Sequence, residues 1–68
     1  MFYFFQRREE FLRCEIRPAD DGYYLIIHRP DGSELTEHYD GKEELDSRWA
    51  ALQHDLMRDG WWGPHSRE

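Results

Sequence analysis

The stretch Tyr23-Tyr24-Leu25-Ile26-Ile27-His28-Arg29-Pro30-Asp31-Gly32-Ser33-Glu34-Leu35-Thr36-Glu37-His38-Tyr39 decides how this chain folds. Tyr23 to Arg29 is rich in aromatic and β-branched residues and predicts a central strand. Pro30-Asp31-Gly32 interrupts it, and Ser33 to Tyr39 follows as a second, more polar strand. Pro presets φ at the first turn position, Asp tolerates the next, and Gly supplies the left-handed residue. That order suits a three-residue hairpin loop with a glycine bulge. Arg29 then faces Ser33, and counting outward pairs Ile27 with Leu35, Leu25 with Glu37 and Tyr23 with Tyr39. A two-residue loop on Asp31-Gly32 would pair Ile27 with Thr36 instead and bring fewer apolar side chains together, so the first register is preferred. It places Tyr23, Leu25, Ile27, Leu35 and Tyr39 on one face. Tyr24, Ile26, His28, Glu34, Thr36 and His38 occupy the other.

Upstream, Leu12, Cys14 and Ile16 alternate with Arg13, Glu15 and Arg17, the period of a half-buried strand. Pro18-Ala19-Asp20-Asp21-Gly22 is a turn cluster that returns this strand against the central one. Downstream, Leu45, Trp49, Leu52 and Leu56 fall at spacings of four, three and four, one stripe of a helix. Asp40 with Glu43 has the form of an N-terminal capping box. Gly60 and Trp61 fit the last two positions of a Schellman ending, and Pro64 blocks continuation. The expected fold class is therefore α+β, a three-stranded antiparallel β-meander followed by one C-terminal α-helix packed on one sheet face, β-β-β-α. Residues 1–68 read as a single small domain. Residues 1–5 are expected to form an additional strand or an interface segment, and 63–68 a flexible tail.

Composition narrows the function classes. Nine Lys or Arg against fifteen Asp or Glu give 68 residues a net charge of −6, and all of that surplus lies in residues 31–68. An acidic half of this kind repels phosphate backbones and favours solubility. No apolar run exceeds five residues, far short of a membrane span. Three Trp, four Tyr and four Phe are too many for a disordered chain. Cys14 stands alone, so no internal disulfide forms, and Met1 to Phe5 lacks the basic flank and length of a secretory signal. A cytoplasmic setting is expected. A domain this short needs a staple, and with no disulfide a partner or a second copy is the simplest one.

Enzyme activity is not expected. There is no nucleophile elbow, no Cys-His-Asn arrangement and no phosphate-cradling glycine loop. His28, His38, His54 and His65 lack metal-ligand spacing, so neither a metal nor a cofactor is expected. Cys14 is predicted to point inward as inert packing.

The aromatic surplus is the functional hint. One helix covers one sheet face, and the open face carries Phe11, Tyr24 and Ile26. Phe2 to Phe5 either completes the core or supplies an interface, and Trp62 sits beside a Trp61 already assigned to the helix ending. Phe2, Phe4, Phe11, Tyr24, Ile26, His28 and Trp62 are thus the candidate partner-binding residues, since aromatic side chains dominate interface energetics. The function read from the sequence is a small non-enzymatic protein-binding or accessory module that forms a homodimer through these groups. The alternative is a nucleic-acid-binding regulator using Arg13, Arg17 and Tyr24 on the open sheet face. The acidic balance and the presence of Glu15 and Glu34 on that face weigh against it.

Overall fold

The structure is a computed structural model that describes residues 1–67. Its elements are β1 (Phe2–Arg7), β2 (Glu10–Ala19), β3 (Gly22–His28), β4 (Glu34–Tyr39), α1 (Lys42–Arg58) and β5 (Trp62–Arg67). All five strands form one antiparallel sheet in the order β4-β3-β2-β1-β5. The expected three-stranded meander is thus corrected to five strands, with the helix covering one face. Both additions come from segments without a clear strand period. Phe2 to Phe5 is apolar throughout because alternate residues serve both faces. Residues 63–67, expected to trail as a tail, are edge strand β5; Glu68, the last residue of that expected tail, lies outside the described residues.

The central hairpin has the expected register. Arg29 N–H donates to the Ser33 carbonyl at 2.9 Å, and Gly32 N–H to the Arg29 carbonyl at 3.0 Å. Ile27 pairs with Leu35, Leu25 with Glu37 and Tyr23 with Tyr39. The Asp31 carboxylate accepts the Ser33 N–H at 2.9 Å, closing the loop as an Asx turn. On β2, Ile16 N–H donates to the Met1 carbonyl. Alternation then turns the nitrogen of Pro18 to the same side, beyond the end of β1, so its missing N–H breaks no ladder bond.

Arg7 and Glu10 close β1 and β2 around the two-residue turn Arg8-Glu9. Arg8 takes φ 55°, a left-handed conformation that costs a side-chain-bearing residue energy. This hairpin has no Gly, Pro, Asn or Asp to announce it.

Helix α1 begins one residue later than the sequence suggested. Gly41, not Asp40, is the N-cap, and its N–H donates to the carboxylate of Glu44 at 2.8 Å. Glu44 rather than Glu43 therefore closes the turn, and Asp40 instead sits 3.7 Å from a ring nitrogen of His38. The C-terminus is a Schellman motif as read: Gly60 N–H reaches the Met57 carbonyl at 3.1 Å and Trp61 N–H the Leu56 carbonyl at 2.9 Å. Gly60 has φ 90°, which only glycine adopts without strain. Trp61 is buried, and Arg7 stacks its guanidinium on the indole at 4.5 Å.

The core lies between α1 and the sheet. Leu45, Leu52 and Leu56 bury against Phe5, Leu12, Cys14, Leu25 and Ile27, with Ile16, Tyr23, Leu35, Tyr39 and Trp49 at the margin. Each buried leucine contributes roughly 1.5–3 kcal/mol. Strand β1 feeds this layer: Tyr3 and Phe5 pack on Trp49 with centroids 5.0 and 6.1 Å apart. Strand β5 tolerates Gly63-Pro64 because it is an edge strand with a bulge opposite Phe4 to Gln6. A Cβ on Gly63 would lie 2.9 Å from the Phe4 carbonyl oxygen, so no larger residue fits that approach.

Glu37 is the one carboxylate on the helix-facing side of β4. Arg48 on α1 meets it with two donors at 2.8 and 3.1 Å, and the Tyr39 hydroxyl donates to the same carboxylate. The Arg48 hydrogen bonds hold the Glu37 carboxyl below its ordinary value. This fork ties the helix to the β4 edge, beside Leu35 and Tyr39 at the core margin.

Glu37→Gln should lower stability by roughly 1–3 kcal/mol, the range for charge-assisted hydrogen bonds. Because the folded pKa is depressed, the stabilisation is present above the unfolded value near 4.5 and is lost as pH falls below it. Urea unfolding from pH 3 to pH 7 should therefore show a shallower acid dependence in the variant. Arg8→Gly should raise stability by about 1 kcal/mol by relieving the turn, read as a higher melting temperature.

Candidate functional site

The face away from α1 is uncovered, and the strand registers fix its layout. One row crosses all five strands as Glu34, His28, Arg13, Phe4 and His65. The next runs Thr36, Ile26, Glu15 and Phe2. A third carries His38, Tyr24 and Arg17, and on the opposite side of the first row lie Phe11, Gln6 and Trp62.

All seven sequence-predicted partner-binding residues stand on this face, but they do not form one cluster. Phe2, Phe4, Phe11 and His28 line an open groove of ≈ 440 Å³ together with Arg13, Arg29 and Pro30. Phe4 bridges Phe11 at 6.2 Å and His65 at 4.9 Å, and Trp62 meets His65 edge-on at 4.5 Å. Trp62 therefore extends the aromatic patch beyond the groove. Phe2, Phe11 and Trp62 remain 42%, 55% and 68% exposed. Ile26 is different: it is buried although it lies on the open face, flanked by Glu15 and Thr36. Tyr24 lies apart, edge-on to His38 at 4.9 Å.

The residues of the nucleic-acid alternative are likewise divided. Arg17 and Tyr24 are cross-strand neighbours, yet Arg17 is held by Glu15 at 2.8 Å. Arg13 is at the groove, paired across the ladder with His28 and Phe4. His28 lies 3.5 Å from Glu34, its expected neighbour, and His38 lies 3.2 Å from Asp21. Among the described residues no three His, Cys, Asp or Glu side chains come together as metal ligands would.

Arg29 and His65 were missed at the level of sequence. Arg29 flanks the turn, and alternation assigns it to the Ile27 side of the strand, so the pattern gave no signal for its place at the groove beside His28. His65 had no such signal, since the stretch Trp62-Gly63-Pro64-His65-Ser66-Arg67 has no strand period. Its Nε2 is buried with no hydrogen-bond partner among the described residues.

Comparison of the chain with protein-family models, curated proteins and solved structures gives no match.

Cys14 lies fully buried on the other face, where burial pushes its thiol up to about 12, with the Arg48 charge offsetting part of the shift. A protonated thiol is a poor nucleophile. A disulfide reagent at pH 8 should label it only after denaturant is added. The folded thiol keeps its proton up to about pH 12, whereas the unfolded chain loses it from about 9. Stability should therefore fall across that window, and less steeply in Cys14→Ala.

Proposed function

We propose that this chain is a small, non-enzymatic, cytoplasmic protein-binding or accessory module that docks through the open face of its sheet, in the first place to a second copy of itself. The observation that supports this most is the exposed aromatic set Phe2, Phe11 and Trp62 on a face that no part of the described chain covers. Aromatic side chains held on a rigid strand lose little entropy on binding and bury large areas. Charge favours the same surface. Glu43, Glu44, Asp46 and Asp55 belong to α1, on the opposite side of the sheet. Two sheets facing each other keep those acidic helices outside, far apart and solvated. A two-fold arrangement of this kind is closed and self-limiting.

Light scattering coupled to size exclusion should show a mass rising from 8.4 kDa toward about twice that value as concentration increases. Trp62→Asp should hold the mass at the single-chain value. A single-chain mass at every concentration would remove the homodimer.

A further inference from the structure

The open face carries a second, electrostatic feature beside its exposed aromatic side chains. The chain has more carboxylates than cations, and five of its basic side chains are already neutralised: Arg7 by Glu10, Arg17 by Glu15, Lys42 by Asp46, Arg48 by Glu37 and Arg58 by Asp55. Arg13 and Arg29 have no ion pair within 4 Å among the described residues, and both line the aromatic groove; Arg29 also donates to the Ser33 hydroxyl at 3.5 Å and feels the Asp31 charge. An acidic chain that leaves two guanidiniums unpaired beside Phe2 and Phe11 presents a complementary surface for a ligand that is both anionic and apolar.

We propose that this groove docks an acidic peptide segment of a partner protein, with carboxylates meeting Arg13 and Arg29 and an aliphatic or aromatic side chain resting on Phe2 and Phe11. This rests on the open face being a protein-binding surface, and it names the chemistry of the partner. Guanidinium and carboxylate form paired, charge-assisted hydrogen bonds, which fixes the segment's position on the face. The groove runs over β1, β2 and the end of β3, inside the sheet rather than at its edge, so side chains carry the recognition and not strand addition. A nucleic acid suits the groove less well. Its backbone needs a cationic track several phosphates long, whereas the groove holds two guanidiniums, one of them also hydrogen-bonded to Ser33.

The test is fluorescence anisotropy on the full chain with labelled synthetic peptides of about nine residues. One alternates Asp or Glu with Leu and Phe, one replaces the acids by Lys, and one keeps the acids but replaces the apolar residues by Ser. A short oligothymidylate is the fourth probe. The acidic apolar peptide should bind saturably and weaken with added salt, and the other three should not bind. The double variant Arg13→Gln/Arg29→Gln should lose affinity by about tenfold or more, with an unchanged melting temperature. Arg8→Gln/Arg58→Gln, which removes the same charge from other surfaces, should bind as the parent does. Equal binding of the lysine peptide, preference for the oligothymidylate, or full binding by the Arg13/Arg29 variant would overturn the proposal. Because the homodimer would share Phe2 and Phe11 with the groove, anisotropy is read at a concentration where light scattering gives the single-chain mass, and failure of either reading then leaves the other measurable.

Discussion

A single helix laid across a five-stranded sheet can dry one face of it and no more. That constraint organises the molecule. Seventeen residues of α1 span roughly 26 Å, and four strand spacings span roughly 19 Å. The helix is therefore long enough to cross from the β4 edge, where it begins, to the β1 edge, where the chain adds β5. The Schellman ending at Gly60 and Trp61 sets the chain direction at that crossing and buries an indole where helix and strand part. The apolar core is absorbed on the helix side. On the far side Phe2, Phe11 and Trp62 stay exposed.

The two flanks of the helix are secured by different physics. Toward β1 the contacts are aromatic, with Trp49 against Tyr3 and Phe5 and, past the helix end, Trp61 under Arg7. Toward β4, Glu37 would be an isolated carboxylate beside the core without the fork of Arg48. A half-buried ion pair contributes modestly to stability, but it disfavours any arrangement that separates the two partners. It ties the middle of α1 to β4 on the face that carries the apolar core.

Much of this was legible in the sequence, where the local chemistry and the period agreed. Pro30-Asp31-Gly32 specified the hairpin, its register and both faces of β3 and β4. The Leu45, Trp49, Leu52 and Leu56 stripe specified the helix, and Gly60-Trp61 its end. What was not legible follows from equally specific causes. Phe2 to Phe5 serves both faces at once, so it shows no alternation. Arg8 occupies a left-handed turn position that glycine or asparagine normally marks. Gly63 and Pro64 read as breakers, yet an edge strand with a bulge accepts both. The register paired Glu37 opposite Leu25, but nothing in the pattern pointed to Arg48 as its partner. The site was read as a list of aromatic residues. The structure divides that list, bringing Phe2, Phe4, Phe11 and His28 to one groove, joining Trp62 to them through His65, and burying Ile26. It also adds Arg29, which strand alternation assigns to the Ile27 side and which reaches the groove from the end of β3.

The central claim is that recognition belongs to the uncovered sheet face and stability to the helical one. Amide and side-chain chemical shifts followed by NMR through a dilution series test it most directly. The account predicts concentration-dependent shifts at Phe2, Phe11, Trp62 and His65, with Glu43, Ala50 and Met57 on α1 unchanged. Shifts centred on the helix, or none on either face, would contradict it.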